Sequence, residues 1–388
     1  MNKGFYIILL AQFLSALADN ALLFAAIALL AQLTAPDWHV PLLQQFFVIS
    51  YILLAPFVGA FADAIPKGRV MFVSNAIKFI GCLAMWFGIP PLYAYSIVGI
   101  GAAAYSPAKY GILTEILPPI KLVAANGWME GSTVLAIILG AIVGGWLSAI
   151  NPLMAIGVIA ATYFAAALFN LFIPYVPIDH KLPKKSPLYV LHDFWHAFTL
   201  LWRDPQGQVS LAVTTLFWGA GATLRLVVIV WAALALNFSL EQATQLTAIV
   251  ALGIAAGSVI AARTITLERA VNALPAGIVM GGLTIMMVLI TDWKVAAFML
   301  FAIGALSGYF VVPLNALLQH RGHLLMGAGH SIAVQNFNEN LGILILLGAY
   351  TLMLKADFSI NTIVILFGAF ISLSMGLIYR HHRNIRSD

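Results

Sequence analysis

Ala11-Gln-Phe-Leu-Ser-Ala-Leu-Ala-Asp-Asn-Ala-Leu-Leu-Phe24 decides the fold, because it sets Asp19 and Asn20 in the middle of an apolar run extending from about residue 5 to 33. A segment of roughly 20 apolar residues spans hydrocarbon as a helix, since lipid offers the backbone no hydrogen-bond partners. Eleven further runs follow, at about 41–62, 70–89, 92–117, 122–149, 152–173, 208–236, 242–262, 271–290, 295–318, 327–354 and 358–379. With 62% hydrophobic residues, 9% charged residues and a mean hydropathy of +0.98, no soluble domain of useful size remains between them. The expected fold class is all-α integral membrane, with twelve transmembrane helices in two six-helix bundles. The start of the chain imitates a signal peptide, with Lys3, an apolar run and Ala16-Leu17-Ala18. The run continues from Ala21 to Leu33, so the segment reads as a retained first span.

Basic residues give the orientation. With both termini cytoplasmic, that side collects Lys3, Lys67, Arg69, Lys121, Lys181, Lys184, Lys185, Arg203, Arg263, Arg269, Arg321, Arg380, Arg383 and Arg386, and the other keeps Lys294 and Lys355. Such asymmetry is the positive-inside rule. The pI near 9.3 therefore reports topology and contact with anionic lipid. Nucleic acid is excluded as a partner, because the basic stretches carry no interleaved aromatic platforms. Cys82, the one cysteine, lies in an apolar span, so neither a disulfide nor a redox role is expected.

The chain repeats one plan. Phe13-Leu-Ser-Ala-Leu-Ala-Asp19 aligns with Phe217-Trp-Gly-Ala-Gly-Ala-Thr223, Gly68-Arg69 with Glu268-Arg269, Pro107 with Pro313, and Leu139-Gly-Ala141 with Leu347-Gly-Ala349, at offsets of 200 to 208. Six spans per copy is an even number, so the copies share one orientation and form a parallel repeat. The domains expected are an N-terminal bundle at 1–173, a cytoplasmic linker at 174–206 with an amphipathic helix at 188–203, and a C-terminal bundle with a short basic tail at 207–388. Gly140-x-x-x-Gly144, Gly253-x-x-x-Gly257, Gly277-x-x-x-Gly281 and Gly304-x-x-x-Gly308 suit close helix packing.

Ionisable groups inside spans should be paired or face a polar cavity. Asp19 has Gln12 and Ser15 on its helical face, and the repeat register puts Arg225 close to its level. The two form either a structural pair between bundles or a headgroup site and switchable gate. Lys109, next to the kinking Pro107, points into a cavity or snorkels to the interface. Asn126, Glu130 and Thr133 form one stripe; Gln335 with Glu339, and Asn336 with Asn340, form two more. These line a wet surface or make interhelical hydrogen bonds. Lys78, with Asn75, reads as structural, while Asn315 and Gln319 fit either role. Gly59-Ala-Phe-Ala-Asp63 followed by Lys67-Gly68-Arg69 resembles the loop signature of the major facilitator superfamily, with its basic part displaced by two residues. Asp63 and Arg69 are expected to latch the cytoplasmic ends.

Three stretches carry a more specific likeness: Ala11 to Phe24, Gly101-Ala-Ala-Ala-Tyr-Ser-Pro-Ala-Lys-Tyr-Gly-Ile-Leu113, and Phe310-Val-Val-Pro-Leu-Asn-Ala-Leu-Leu-Gln319. With Ala333-Val-Gln-Asn336, Glu339-Asn340, Phe217-Trp-Gly-Ala-Gly221 and Leu224-Arg225, the chain resembles the bacterial lysophospholipid transporter family over essentially its whole length. The resemblance implies flipping of lysophosphatidylethanolamine and lysophosphatidylglycerol from the outer to the inner leaflet of the bacterial inner membrane. A cytoplasmic acyltransferase/acyl-carrier-protein synthetase is its implied functional partner. Asp19, Asn20, Lys109, Arg225 and Glu339 become its important polar positions. The expected substrate-binding set is these five with Glu130, Gln335 and Asn336, and the expected latch is Gly59, Asp63, Lys67 and Arg69. No cofactor or metal is expected, and the protein is expected to be a monomer. A proton-coupled exporter of drugs or sugars, titrating Asp19, Glu130 or Glu339, is the alternative. An enzyme is disfavoured: there is no HEXXH helix, paired acidic metal motif or serine nucleophile elbow, and His180, His192, His196, His320, His323, His381 and His382 fall in loops or the tail.

Overall fold

Apolar runs this long leave the backbone no choice but to close its hydrogen bonds within each segment. The computed structural model describes residues 3–35, 39–177, 186–238 and 240–387. Lys181, Lys184 and Lys185 of the linker lie outside them. The helices are α1 (Lys3–Gln32), α2 (His39–Ala64), α3 (Lys67–Trp86), α4 (Pro91–Ile116), α5 (Leu122–Ile150), α6 (Pro152–Asn170), α7 (Pro187–Arg203), α8 (Pro205–Ala235), α9 (Leu240–Thr264), α10 (Leu274–Met286), α11 (Trp293–Leu325), α12 (Ala328–Lys355) and α13 (Ile360–Ser387). No strand occurs among the described residues. Among the described residues, eleven helical segments are long and apolar enough to cross a membrane, α10 reaching that length through the 3-10 turns on either side of it. The twelfth long helix, α4, has the length at 26 residues but dilutes its apolar run with Tyr93, Tyr95, Ser96, Tyr105, Ser106, Pro107 and Lys109.

Local chemistry sets the boundaries. Asn151 caps α6 by accepting from the Met154 amide at 3.1 Å, and Asp204 caps α8 by accepting from the Gly207 amide at 2.8 Å. Pro152 and Pro205 occupy the first helical positions, where a missing N–H costs nothing. Gly327, at φ +103°, turns the chain from α11 into α12 through a region that side chains avoid. The linker helix begins at Pro187, one residue before its expected start, and buries Val190, Phe194, Ala197 and Leu201 along one stripe.

Two compact units result. The first comprises residues 1–118, 135–201 and 319–337, and the second 119–134, 202–318 and 338–388. In the first, α3 packs on α4 and α6, α2 on α4, and α1 on α6. In the second, α13 packs on α10 and α8, and α8 on α9. The aligned repeat positions fall on corresponding helices, for example Pro107 within α4 and Pro313 within α11.

All four Gly-x-x-x-Gly pairs lie at helix crossings. The sites are reciprocal between α9 and α11: side chains added at Gly253 and Gly257 would strike the backbone of Phe301 and Ala305, and at Gly304 and Gly308 that of Val250 and Ile254. Without a hydrophobic drive between helices in lipid, such contact is what holds them together. On α10, a Cβ at Gly281 would lie 2.6 Å from the Gly368 carbonyl oxygen, whereas one at neighbouring Gly282 meets nothing within 4 Å. Gly281→Val is therefore expected to destabilise the protein by about 1–3 kcal/mol through overpacking. Gly282→Val should be close to neutral, and the thermal melting of the two purified variants in detergent distinguishes them.

Candidate functional site

A carboxylate inside a span requires a counter-charge, and Asp19 finds one on α3. Its Oδ2 accepts from Lys78 Nζ at 2.8 Å and its Oδ1 from the Tyr163 hydroxyl of α6 at 2.6 Å. Lys78 also donates to Ser15 Oγ at 3.0 Å, and Ser15 donates onward to Asn75 Oδ1 at 2.7 Å. The ammonium lies 4.9 Å from the ring centre of Tyr105 and 5.5 Å from that of Tyr163, within cation–π range. Gly101 on α4 makes room for this lysine, since a Cβ there would lie 2.7 Å from Lys78 Cγ. Lys78 is 1% exposed and Asp19 24%, so the carboxylate is the accessible member of the pair.

The Asp63 carboxylate, at the C-terminal end of α2, is more heavily engaged. Oδ1 accepts from Lys67 Nζ at 3.0 Å and from the Gly329 amide at 2.8 Å. Oδ2 accepts from the His330 amide at 3.0 Å and lies 2.6 Å from His330 Nδ1. Gly329 and His330 open α12, where the amides lack intrahelical partners and the helix dipole favours a negative charge. Lys67 reaches Glu115 Oε1 of α4 at 2.7 Å, and the far side of the histidine ring, Nε2, stands 2.9 Å from Asp193 Oδ2 on α7. Glycines permit these approaches. A Cβ at Gly59 would lie 2.9 Å from Ala333 Cβ, one at Gly329 2.6 Å from Asp63 Oδ1, and one at Gly111 2.8 Å from Lys67 Cε. The linker helix completes the cluster: Phe194, Trp195 and Phe198 set their rings edge-on to Phe337 of α12, with centroids 5.6, 5.9 and 6.2 Å away.

Two expectations are thereby refined. Asp19, set level with Arg225 by the repeat register as either a structural pair or a headgroup site, has its carboxylate held within its own unit by Lys78 and Tyr163. Of the two cations in the α3 part of the expected latch, Lys67 is the one that answers Asp63. Two residues further along α3, Arg69 is turned outward and exposed.

The remaining candidates lie on α1, α4, α5, α8 and α12. Asn20 donates to the Ala16 carbonyl of its own helix at 2.8 Å. Lys109 is half-buried, with its ammonium 4.2 Å from the Tyr110 ring centre. Glu130, Gln335, Asn336 and Glu339 are buried, and Asn336 Oδ1 accepts from Ser106 Oγ at 3.3 Å. Arg225 is exposed in the middle of α8. Sequence reasoning passed over Tyr163, Glu115, Asp193 and His330, and it took Lys78 as structural. A histidine three residues beyond Gly327, at a helix start, is the one signal that pointed to His330.

Breaking a buried ion pair by removing one partner costs about 3–5 kcal/mol. Asp63→Ala should therefore lower the temperature at which fully buried Cys82 becomes reactive to a thiol dye by several degrees. Arg69→Ala should change stability by less than about 0.5 kcal/mol, as exposed substitutions do.

Residues 8–347 match the Major Facilitator Superfamily model. The lysophospholipid transporter LplT of Serratia proteamaculans is 48% identical over 357 residues, covering 92% of this chain and 89% of that protein. LplT of Yersinia pestis is also 48% identical, with 92% and 88% covered. Among solved structures, the human organic anion transporter MFSD10 superposes with a TM-score of 0.80 at 16% identity, covering 97% of this chain and all of that one. The transporter FucP, in its outward conformation, gives 0.78 at 12% identity, covering 98% and 97%. These distant likenesses concern the fold alone. By its family model and its close relatives, the chain belongs to the lysophospholipid transporters of the major facilitator superfamily.

Proposed function

We propose that this protein moves lysophosphatidylethanolamine and lysophosphatidylglycerol from the outer to the inner leaflet of a bacterial inner membrane by alternating access, and that it catalyses no covalent step. The observation that carries this reading is 48% identity to LplT across 92% of the chain. The asymmetry of basic residues supports two cytoplasmic termini, and hence delivery to the leaflet where an acyltransferase/acyl-carrier-protein synthetase restores the missing acyl chain. The protein acts as a monomer.

Headgroup chemistry supports the same reading. A lysophospholipid carries a phosphate, an ammonium or glycerol, and one apolar tail. Arg225 presents a planar fork that matches a phosphate in bidentate fashion, and Lys109 adds a point charge. Asp19 and Asn20 suit the ethanolamine end, with Glu130, Gln335, Asn336 and Glu339 as further polar ligands. The Asp63 cluster, built from the ends of α2, α3, α4 and α12, serves as the conformational latch.

Leaflet-resolved transfer of fluorescent lysophosphatidylethanolamine in proteoliposomes tests the proposal. Arg225→Glu should reduce transfer at least about tenfold at equal protein incorporation, since it loses a charge-assisted bidentate contact and adds repulsion. Arg225→Lys should retain part of the rate, and unchanged transfer by Arg225→Glu would remove Arg225 from the headgroup path.

A further inference from the structure

We infer that Lys78 is a specificity-determining positioning residue, which lets the Asp19 site accept zwitterionic and anionic headgroups alike; this rests on the lysophospholipid reading above. The geometry supplies three premises. Lys78 is 1% exposed against 24% for Asp19, so an arriving headgroup meets the carboxylate and not the ammonium. The ammonium is enclosed, with Asp19 at 2.8 Å, Ser15 at 3.0 Å and the Tyr105 and Tyr163 rings at 4.9 and 5.5 Å, which holds it behind the carboxylate. An ionised carboxylate offers about four acceptor positions, and Lys78 and Tyr163 take one each. Acceptor capacity therefore remains for the donors of an ethanolammonium or a glycerol.

Charge decides what such a site tolerates. A bare carboxylate at this depth would attract the ammonium of a zwitterionic lysophospholipid and repel a headgroup with net charge −1. With Lys78 fixed 2.8 Å behind it, the site is a neutral dipole that presents acceptors to both. The lysine need not touch the substrate; it acts by offsetting the charge of Asp19. Space for the lysine is built into the packing, because Gly101 lies against its stem and the Ser74 carbonyl. The pair joins α1 to α3, and Tyr163 ties both to α6, which packs along each of them.

The experiment compares transfer of lysophosphatidylglycerol and lysophosphatidylethanolamine by the same proteoliposome preparation, so that the ratio is independent of how much variant folds. Lys78→Met, of similar length and apolar, should lower the anionic-to-zwitterionic ratio about thirtyfold, the scale set by two unit charges roughly 8 Å apart at an effective dielectric near 20. Asp19→Asn, which leaves the cation alone, should raise the ratio. The double variant should return it towards the wild-type value, whatever its absolute rates. The ratio is measured at pH 7 and at pH 9. Equal losses for both lipids in Lys78→Met at both pH values would make Lys78 a merely structural residue and overturn the inference. If the wild-type protein transfers neither lipid, the functional reading fails instead.

Discussion

Two carboxylates in one unit, Asp63 buried and Asp19 part-buried, are both answered from a single helix. Lys67 and Lys78 are eleven residues apart on α3, three turns plus about 20°, which puts them on one face roughly 16 Å apart along the axis. Each lysine meets a carboxylate from another helix, Asp63 of α2 and Asp19 of α1. Each also lies against a glycine of α4, Gly111 and Gly101, whose missing side chains leave room for the lysine stems. An ionised group in hydrocarbon is tolerated only where a partner is fixed in place. The close approach of α3 and α4 provides that fixity twice.

The surroundings of the two pairs differ in kind. The Asp19 pair sits mid-span, among helices that pack along one another; Lys78 and Tyr163 donate to the carboxylate, and two tyrosine ring faces receive the ammonium. The Asp63 pair sits at a helix end, and half of its hydrogen bonds come from the first amides of α12. Aromatic contacts of α7 with Phe337 and the approach of Asp193 to His330 bring the linker helix onto the same cluster. A linker that could have been a passive tether is instead packed against α12 through both charge and rings.

Much of this was legible in the sequence, and what was not has a physical reason. The apolar runs marked the twelve long helices, because length and hydropathy are properties of each segment alone. The amphipathic 188–203 stretch and the glycine pairs were likewise readable locally, and each glycine pair lies at a crossing. Asp19 and Asp63 were singled out as groups in need of partners, and Lys67 already stood in the expected latch, whereas Lys78 was not matched to Asp19. Partner choice depends on where neighbouring helices cross and how each is rotated, and spacing within a helix is silent on both. Tyr163 illustrates the limit: a hydroxyl in a largely apolar helix carries no signal until α6 is laid against α1.

The contrast between the two ion pairs also separates their roles. For Asp63, the helix-end amides, His330 and Lys67 belong to different segments, and Lys67 retains Glu115 at 2.7 Å if Asp63 departs. Parting α2 from α12 therefore leaves the lysine compensated and the α12 amides open to water, a modest penalty at a membrane surface. Separating Asp19 from Lys78 has no such relief. The ammonium would keep only a hydroxyl and two ring faces in a fully buried pocket, and desolvation makes an unpaired charge there far more costly. A device that must open and close suits the first arrangement. A fixed electrostatic surface, against which a mobile headgroup is weighed, suits the second.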